Sequence, residues 1–161
     1  MNVVRIASRV ANVSAAEGEF AVPLGQLIST LQTLLGAKYA VSMAYLSYAD
    51  RVKGLWRDAL VDHWHDHAKD ERSMTYDLAM KIVGLGSDPI QTTIQIPQCP
   101  ANTLAFCKCL AAQELEAIKT ERQIIEMAGS NTGLKVLLEA HCQMDSHHLD
   151  DLRRLSAEMK E

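Results

Sequence analysis

The residues with the most chemical capacity in this 161-residue chain lie between Asp62 and Val83, in DHWHDHAKDERSMTYDLAMKIV. Read as one helix, the stretch carries a stripe of acids and histidines with Glu71 at its centre. A later segment, from Gln143 to Leu152, contains DSHH, in which Asp145 and His148 stand three apart and so share a helix face. Carboxylate and imidazole pairs at that spacing, on facing helices, are how four-helix bundles hold metal ions in their cores. The first pair is broken, because the position three after Glu71 is Met74 and not a histidine. A thioether is a soft donor, ill suited to ions that prefer oxygen and nitrogen.

Other polar residues extend the same faces. His141 precedes Asp145 and His148 at i, i+4, i+7 spacing, and Glu114 and Glu121 are seven apart, so both sets are able to face inward. The expected state of Glu121 and His141 is nonetheless surface exposure or simple hydrogen bonding. His63, Asp66, His67 and Asp70 suit weak cation binding, with a solvated charged face as the expected reading. Met43, Met74 and Met80 have the helical spacing of core filler.

The elements that must position these residues follow from periodicity and stop signals. Apolar residues at Leu27, Leu31, Leu34 or Leu35, Tyr39, Val41, Tyr45 and Leu46 predict a first helix from Leu24 to about Lys53, with Gly54 as its stop. A second runs from about Arg57 to Val83 and is ended by the glycines and proline of VGLGSDP. Asn102 or Thr103 caps a third that reaches Ala128, and Gly129 ends it. Asn131 or Thr132 caps a fourth, running to about Lys160. Between the second and third helices lies the long stretch LGSDPIQTTIQIPQCPA, with three of the four prolines and a short β-like TTIQI. The connections are therefore short, long, short, which predicts an all-α four-helix bundle with one long crossover between helices two and three.

Bulk properties narrow the function classes. The length suits one globular domain. A formal net charge of −4 with no basic block leaves no footprint for nucleic acid or anionic lipid. Apolar runs stop well short of the roughly 18 residues of a bilayer span, so no membrane partner is expected. Cys99, Cys107, Cys109 and Cys142 are too sparse for a disulfide framework, and free thiols in a reducing compartment are the simpler expectation. The first sixteen residues hold Arg5, Arg9, two serines and no acid, the composition of a transit segment or of an arm that docks on a neighbour. The domain reading is an arm or targeting-like segment over 1–23 and a helical bundle over 24–161, in the cytoplasm or, if the arm is a transit peptide, in an organelle interior. GxSxG, phosphate-loop and dinucleotide signatures are absent from the sequence, which disfavours hydrolase and dehydrogenase chemistry.

The stretch LVDHWHDHAKDERSMTYDLAMKIVGLGSDP, together with this connectivity, resembles the bacterioferritins of the ferritin-like superfamily. The likeness covers about residues 24 to 158. That family has a glutamate on its first helix, ExxH on its second, a glutamate on its third and ExxH on its fourth. An ungapped alignment over three helices sets these positions on Lys38, on Glu71 with Met74, and on Glu114. The fourth pair falls on Asp145 and His148 after a short deletion, and a family tyrosine falls on Tyr45. The resemblance implies iron as the metal, held by Glu71, Glu114, Asp145 and His148, with Tyr45 as a hydrogen-bond donor behind them. The companion iron position is lost to Lys38 and Met74. Lys38, placed about 3 Å from Glu71, offsets part of the buried negative charge. A single metal and a salt-bridged core without metal both remain open. The family's haem-binding methionine is replaced by Arg72, so haem is not expected.

Two functions follow as expectations. The first is an iron-binding or iron-storage subunit with a degenerate site, weakly ferroxidase-like if active, in a homo-oligomer or a mixed ferritin-like shell. The second is a catalytically inactive structural or interaction subunit of a larger assembly. No residue is assigned a catalytic role.

Overall fold

The computed structural model describes residues 18–54, 57–89, 94–100 and 102–159. Four helices follow one another: α1 (Leu24–Ala49), α2 (Arg57–Gly84), α3 (Thr103–Met127) and α4 (Thr132–Glu158). Helices α1 and α2 pair along their lengths, as do α3 and α4, and the two hairpins meet through α1 with α3 and α2 with α4. Residues 85–102 connect the hairpins, so the architecture is the expected bundle with one long crossover. Residues 94–100 of that crossover form no strand, and the start of the expected β-like stretch lies outside the described residues. So does the targeting-like segment up to residue 17.

Local sequence accounts for the helix ends. The Asn102 side chain accepts from the Ala105 N–H at 3.1 Å and that of Asn131 from the Leu134 N–H at 2.8 Å, each satisfying a donor that the first turn leaves free. Helix α2 closes on Gly86, at φ +86°, with Ser87 N–H donating to Ile82 and Gly86 N–H to Val83. Gly129 has φ +57°, and a side chain there would run into the backbone of Glu19 and Ala21. The close approach lets Ala21 N–H donate to Met127 and Ser130 N–H to Glu19 while Phe20 enters the core. Helix α1 ends at Ala49, a turn earlier than the sequence suggests, because Val52 folds back into the core and its N–H donates to Tyr48.

The core is split into two apolar clusters. One contains Phe20, Leu27, Leu31, Leu78, Ile124 and Leu138, and the other Tyr48, Trp64, Phe106, Leu110 and Leu152. Polar residues occupy the inward stripe of every helix between them: Lys38, Glu71, Glu114 with Glu121, and His141, Asp145 and His148. Full burial of each large apolar side chain contributes about 1.5–3 kcal/mol, and these contributions hold the polar layer in place.

Two expectations are corrected here. Cys99 and Cys109 form a disulfide, with Cα atoms 5.8 Å apart, so they are not free thiols; the bond ties the crossover to the second turn of α3. Met43 and Met80 are exposed, at 45% and 54%, so of the three methionines only Met74 fills the core. Met80 instead shares an outward stripe with Tyr76 and Val83.

Candidate functional site

Each helix supplies the buried polar layer from one or two of its middle turns. Glu71, Glu114, Asp145 and His148 come from α2, α3 and α4, all are at most 1% exposed, and each offers a donor atom within 4.8 Å of the others. His148 Nδ1 lies 3.3 Å from Glu71 Oε1 and 3.6 Å from Glu114 Oε1. On its other side, His148 Nε2 lies 3.4 Å from Asp70 Oδ2. The Tyr45 hydroxyl donates to Glu114 Oε1 at 2.7 Å and so fixes that carboxylate from α1. A small cleft of about 70 Å³ between α1 and α3 reaches Lys38, Glu71 and Glu114.

Lys38 enters the same layer from α1 and is 1% exposed. Its ammonium donates to both oxygens of Asp145, at 2.6 and 2.7 Å, and lies 3.1 Å from Glu121 Oε1. Glu71 Oε2 is more distant, at 3.7 Å, and the Met74 sulfur is also at 3.7 Å. The sequence expectation of a Lys38–Glu71 contact near 3 Å is thus corrected: the ammonium sits toward α4 because Asp145 and Glu121 converge there. Glu121 and His141 are corrected with it, being 0% and 4% exposed rather than on the surface. Their helical spacing from Glu114 and Asp145 was the signal that pointed inward.

Burial and charge compete at every group. Burial raises the Glu71 carboxyl, against the opposing pull of Lys38. Burial likewise raises Asp145 and Glu121 to about 7, again with Lys38 opposing. Burial disfavours the charged forms of Lys38 and His148 as well, yet the surrounding carboxylates outweigh it. Lys38 is raised, and His148 is raised to about 10. Tyr45 is held well above its ordinary value by burial and by Glu114, so its hydroxyl keeps its proton.

The histidines of α2 depart from the expected solvated face. His67 is 4% exposed and stacks on His148, with ring centroids 4.1 Å apart. His63 is half-buried, while Asp66 is exposed. Burial, then repulsion from His148 and His63, lowers His67 to about 2, so its imidazole is neutral. Arg72, the residue at the expected haem-ligand position, is exposed. Among the described residues, no helix is long and apolar enough to cross a membrane.

The architecture matches known proteins. A ferritin-like, diiron-carboxylate protein from Bacillus anthracis str. Ames is similar with a TM-score of 0.77 and 27% identity, over 83% of this chain and 96% of that one. A bacterioferritin-related protein from Bacteroides fragilis, a dodecameric thioferritin, has a TM-score of 0.79 at 18% identity, over 93% of this chain and 94% of that one, and shares the fold. No protein of curated function matches. The family model described as the Ferritin-like domain matches residues 28–161, and the chain belongs to that family.

Proposed function

We propose that the chain is an iron-binding subunit of the bacterioferritin-like kind, with one metal position formed by Glu71, Glu114, Asp145 and His148. The observation that carries this reading is the convergence of three carboxylates and one imidazole within 4.8 Å in a fully buried layer. Oxygen and imidazole donors suit ferrous iron. Glu71 Oε1 and His148 Nδ1 face each other at 3.3 Å as an ion pair but, among the described residues, neither makes a well-aligned hydrogen bond, which leaves both with capacity for a ligand. These residues fit one ion. The companion position does not fit a second, because Lys38 brings a positive charge there and Met74 a thioether. The diiron-carboxylate relative from B. anthracis supports iron as the cargo.

In this reading a bound ferrous ion would be able to give one electron to an external oxidant such as O2 or peroxide. The chain's own residues bind and orient. Tyr45 holds Glu114, and Glu71 and Glu114 face the Nδ1 edge of His148, which must give up its proton before it can ligate. Lys38 holds Asp145 and must release at least one of its oxygens when a metal binds. Oxidation is therefore weak compared with a paired site, and storage or binding is the principal role. Assembly into an oligomer, from this chain alone or mixed with an active subunit, is part of the proposal, supported by the dodecameric relative and by the outward stripe of Tyr76, Met80 and Val83.

The test is metal per chain after anaerobic Fe(II) loading and desalting. About one retained iron, lost in a Glu71→Ala, His148→Ala variant that still folds, is the expected result. Retention of none by the folded parent protein overturns the reading. One observation favours a second reading, a structural subunit whose core is closed without metal: Lys38 already engages both oxygens of Asp145.

A further inference from the structure

A second set of donors lies outside the carboxylate layer, toward the start of α2 and the end of α4. His63 and His67 are four apart on α2, and their ring centroids are 4.3 Å apart. Asp151 of α4 faces them, with Oδ2 3.6 Å from His67 Nε2. Its other oxygen accepts from Arg154 at 2.8 Å, which fixes the carboxylate with Oδ2 turned to the histidines. One atom from each of His63, His67 and Asp151 lies within 4.8 Å of the others. Among the described residues, His63 Nε2 and His67 Nδ1 are buried without hydrogen-bond partners, and the His67 side chain as a whole is only 4% exposed.

Ring nitrogens without partners, on one buried and one half-buried imidazole, are unfavourable unless something binds them. A small shift in each ring brings the three donors onto one centre. We propose that His63, His67 and Asp151 form a separate site for a single divalent first-row transition ion of the zinc or ferrous class.

The donor set selects the ligand class. Two imidazole nitrogens and one carboxylate oxygen suit Zn(II), Co(II) or Fe(II), whereas Ca(II) and Mg(II) require oxygen cages and Cu(I) prefers sulfur. Three protein ligands leave a position open, as in sites that exchange their ion or bind a further ligand. A cleft of about 420 Å³, walled by His63, Leu60, Arg154 and Leu155, opens onto this side. The cleft brings solvent to the His63 ring without parting the helices. His147 stands at the rim, 70% exposed, with Nε2 3.8 Å from Asp151 Oδ2, and is a further nitrogen within reach of a rotamer change. His67 and His148 are stacked, so the site abuts the carboxylate layer while sharing none of its residues.

The test is a titration of the metal-free full chain with Co(II), read by visible absorption, in the parent and in His63→Ala and Asp151→Asn variants. The expected result is a nitrogen-and-oxygen Co(II) spectrum whose affinity falls by about tenfold or more in each variant, at least the scale on which partners of metal ligands act. The Glu114→Gln variant retains that spectrum, so failure here is distinguishable from failure of the iron reading. Unchanged spectra and affinity in His63→Ala and Asp151→Asn, both folded by circular dichroism, overturn the proposal. NMR of the histidine ring protons in the unsubstituted protein provides a second measurement that needs no variant. Added Zn(II) is expected to shift His63 and His67, and shifts confined to His148 overturn the proposal.

Discussion

Lys38 Nζ bridges the two carboxylate oxygens of Asp145, at 2.7 Å from Oδ1 and 2.6 Å from Oδ2, inside a layer of buried side chains. Removing one partner of a buried pair leaves an uncompensated charge, at a typical loss of about 3–5 kcal/mol. Lys38→Met is therefore expected to destabilise the metal-free protein by about that amount at pH 8. The loss shrinks at pH 5. Asp145 and Glu121 already stand at about 7 with Lys38 beside them, and without it they rise further and bind protons in the folded state. Denaturant unfolding of parent and variant at both pH values checks this, and an equal loss at each counts against a charge-based role.

The same lysine and Met74 define the position that the proposed metal centre lacks. Lys38→Glu with Met74→His supplies the missing carboxylate and imidazole to Glu71, and is expected to raise retained Fe(II) from about one to about two per chain. Elemental analysis after anaerobic loading measures it. An unchanged count in a folded double variant means that these side chains do not face a common second position.

The disulfide is expected to contribute about 2–3 kcal/mol, since it closes a short span between Cys99 and Cys109. Cys99→Ala or mild reduction should lower the thermal midpoint by about 4–12 °C for a domain of this size. Calorimetry with and without reductant measures the difference, and Cys107→Ala, which touches no bridge, gives the comparison for simple loss of a buried thiol.

Much of the fold was legible because helix ends carry local signals. Asn102, Asn131 and Gly129 act through their own turns, and all three mark boundaries in the structure. The inward faces of Asp145 and His148 were legible from three- and seven-residue spacing, and that of Glu71 from its place in the acid and histidine stripe and from the family resemblance. What spacing did not give was the partner of each group across the bundle. Whether Lys38 meets Glu71 or Asp145 depends on the relative shift of α1 against α4, and neither helix encodes that shift alone. Burial of Glu121, His141 and His67 was missed for a related reason. Residue type favours exposure, and a partner on a facing helix accompanies burial in each case: Lys38 for Glu121, the stacked His148 ring for His67 and Asp77 for His141. The Cys99–Cys109 bond depends on the path of the crossover, which has no periodic pattern to read.

Proton linkage at His148 gives the remaining prediction. Burial opposes its charge, but Glu114 and Glu71 raise it from an ordinary 6.5 to about 10. A raised histidine binds its proton more tightly folded than unfolded, so its stabilisation is complete below pH 6.5 and is lost as pH rises toward 10. The lowered histidines His63, His67 and His141 act in the opposite sense, but only below 6.5. The raised carboxyls Asp145 and Glu121 finish their contribution near 7. Between about pH 7 and 9.5, therefore, His148 alone should lower the stability of chelator-treated protein with a slope of up to about 1.4 kcal/mol per pH unit, joined in the same sense by the raised Glu71 carboxyl and, as pH approaches 9.0, by the raised thiols Cys107 and Cys142. Urea unfolding at pH 7, 8 and 9.5 measures the slope. His148→Asn should flatten it, and a parent protein whose stability is constant over that range would show that His148 is neutral in the folded state.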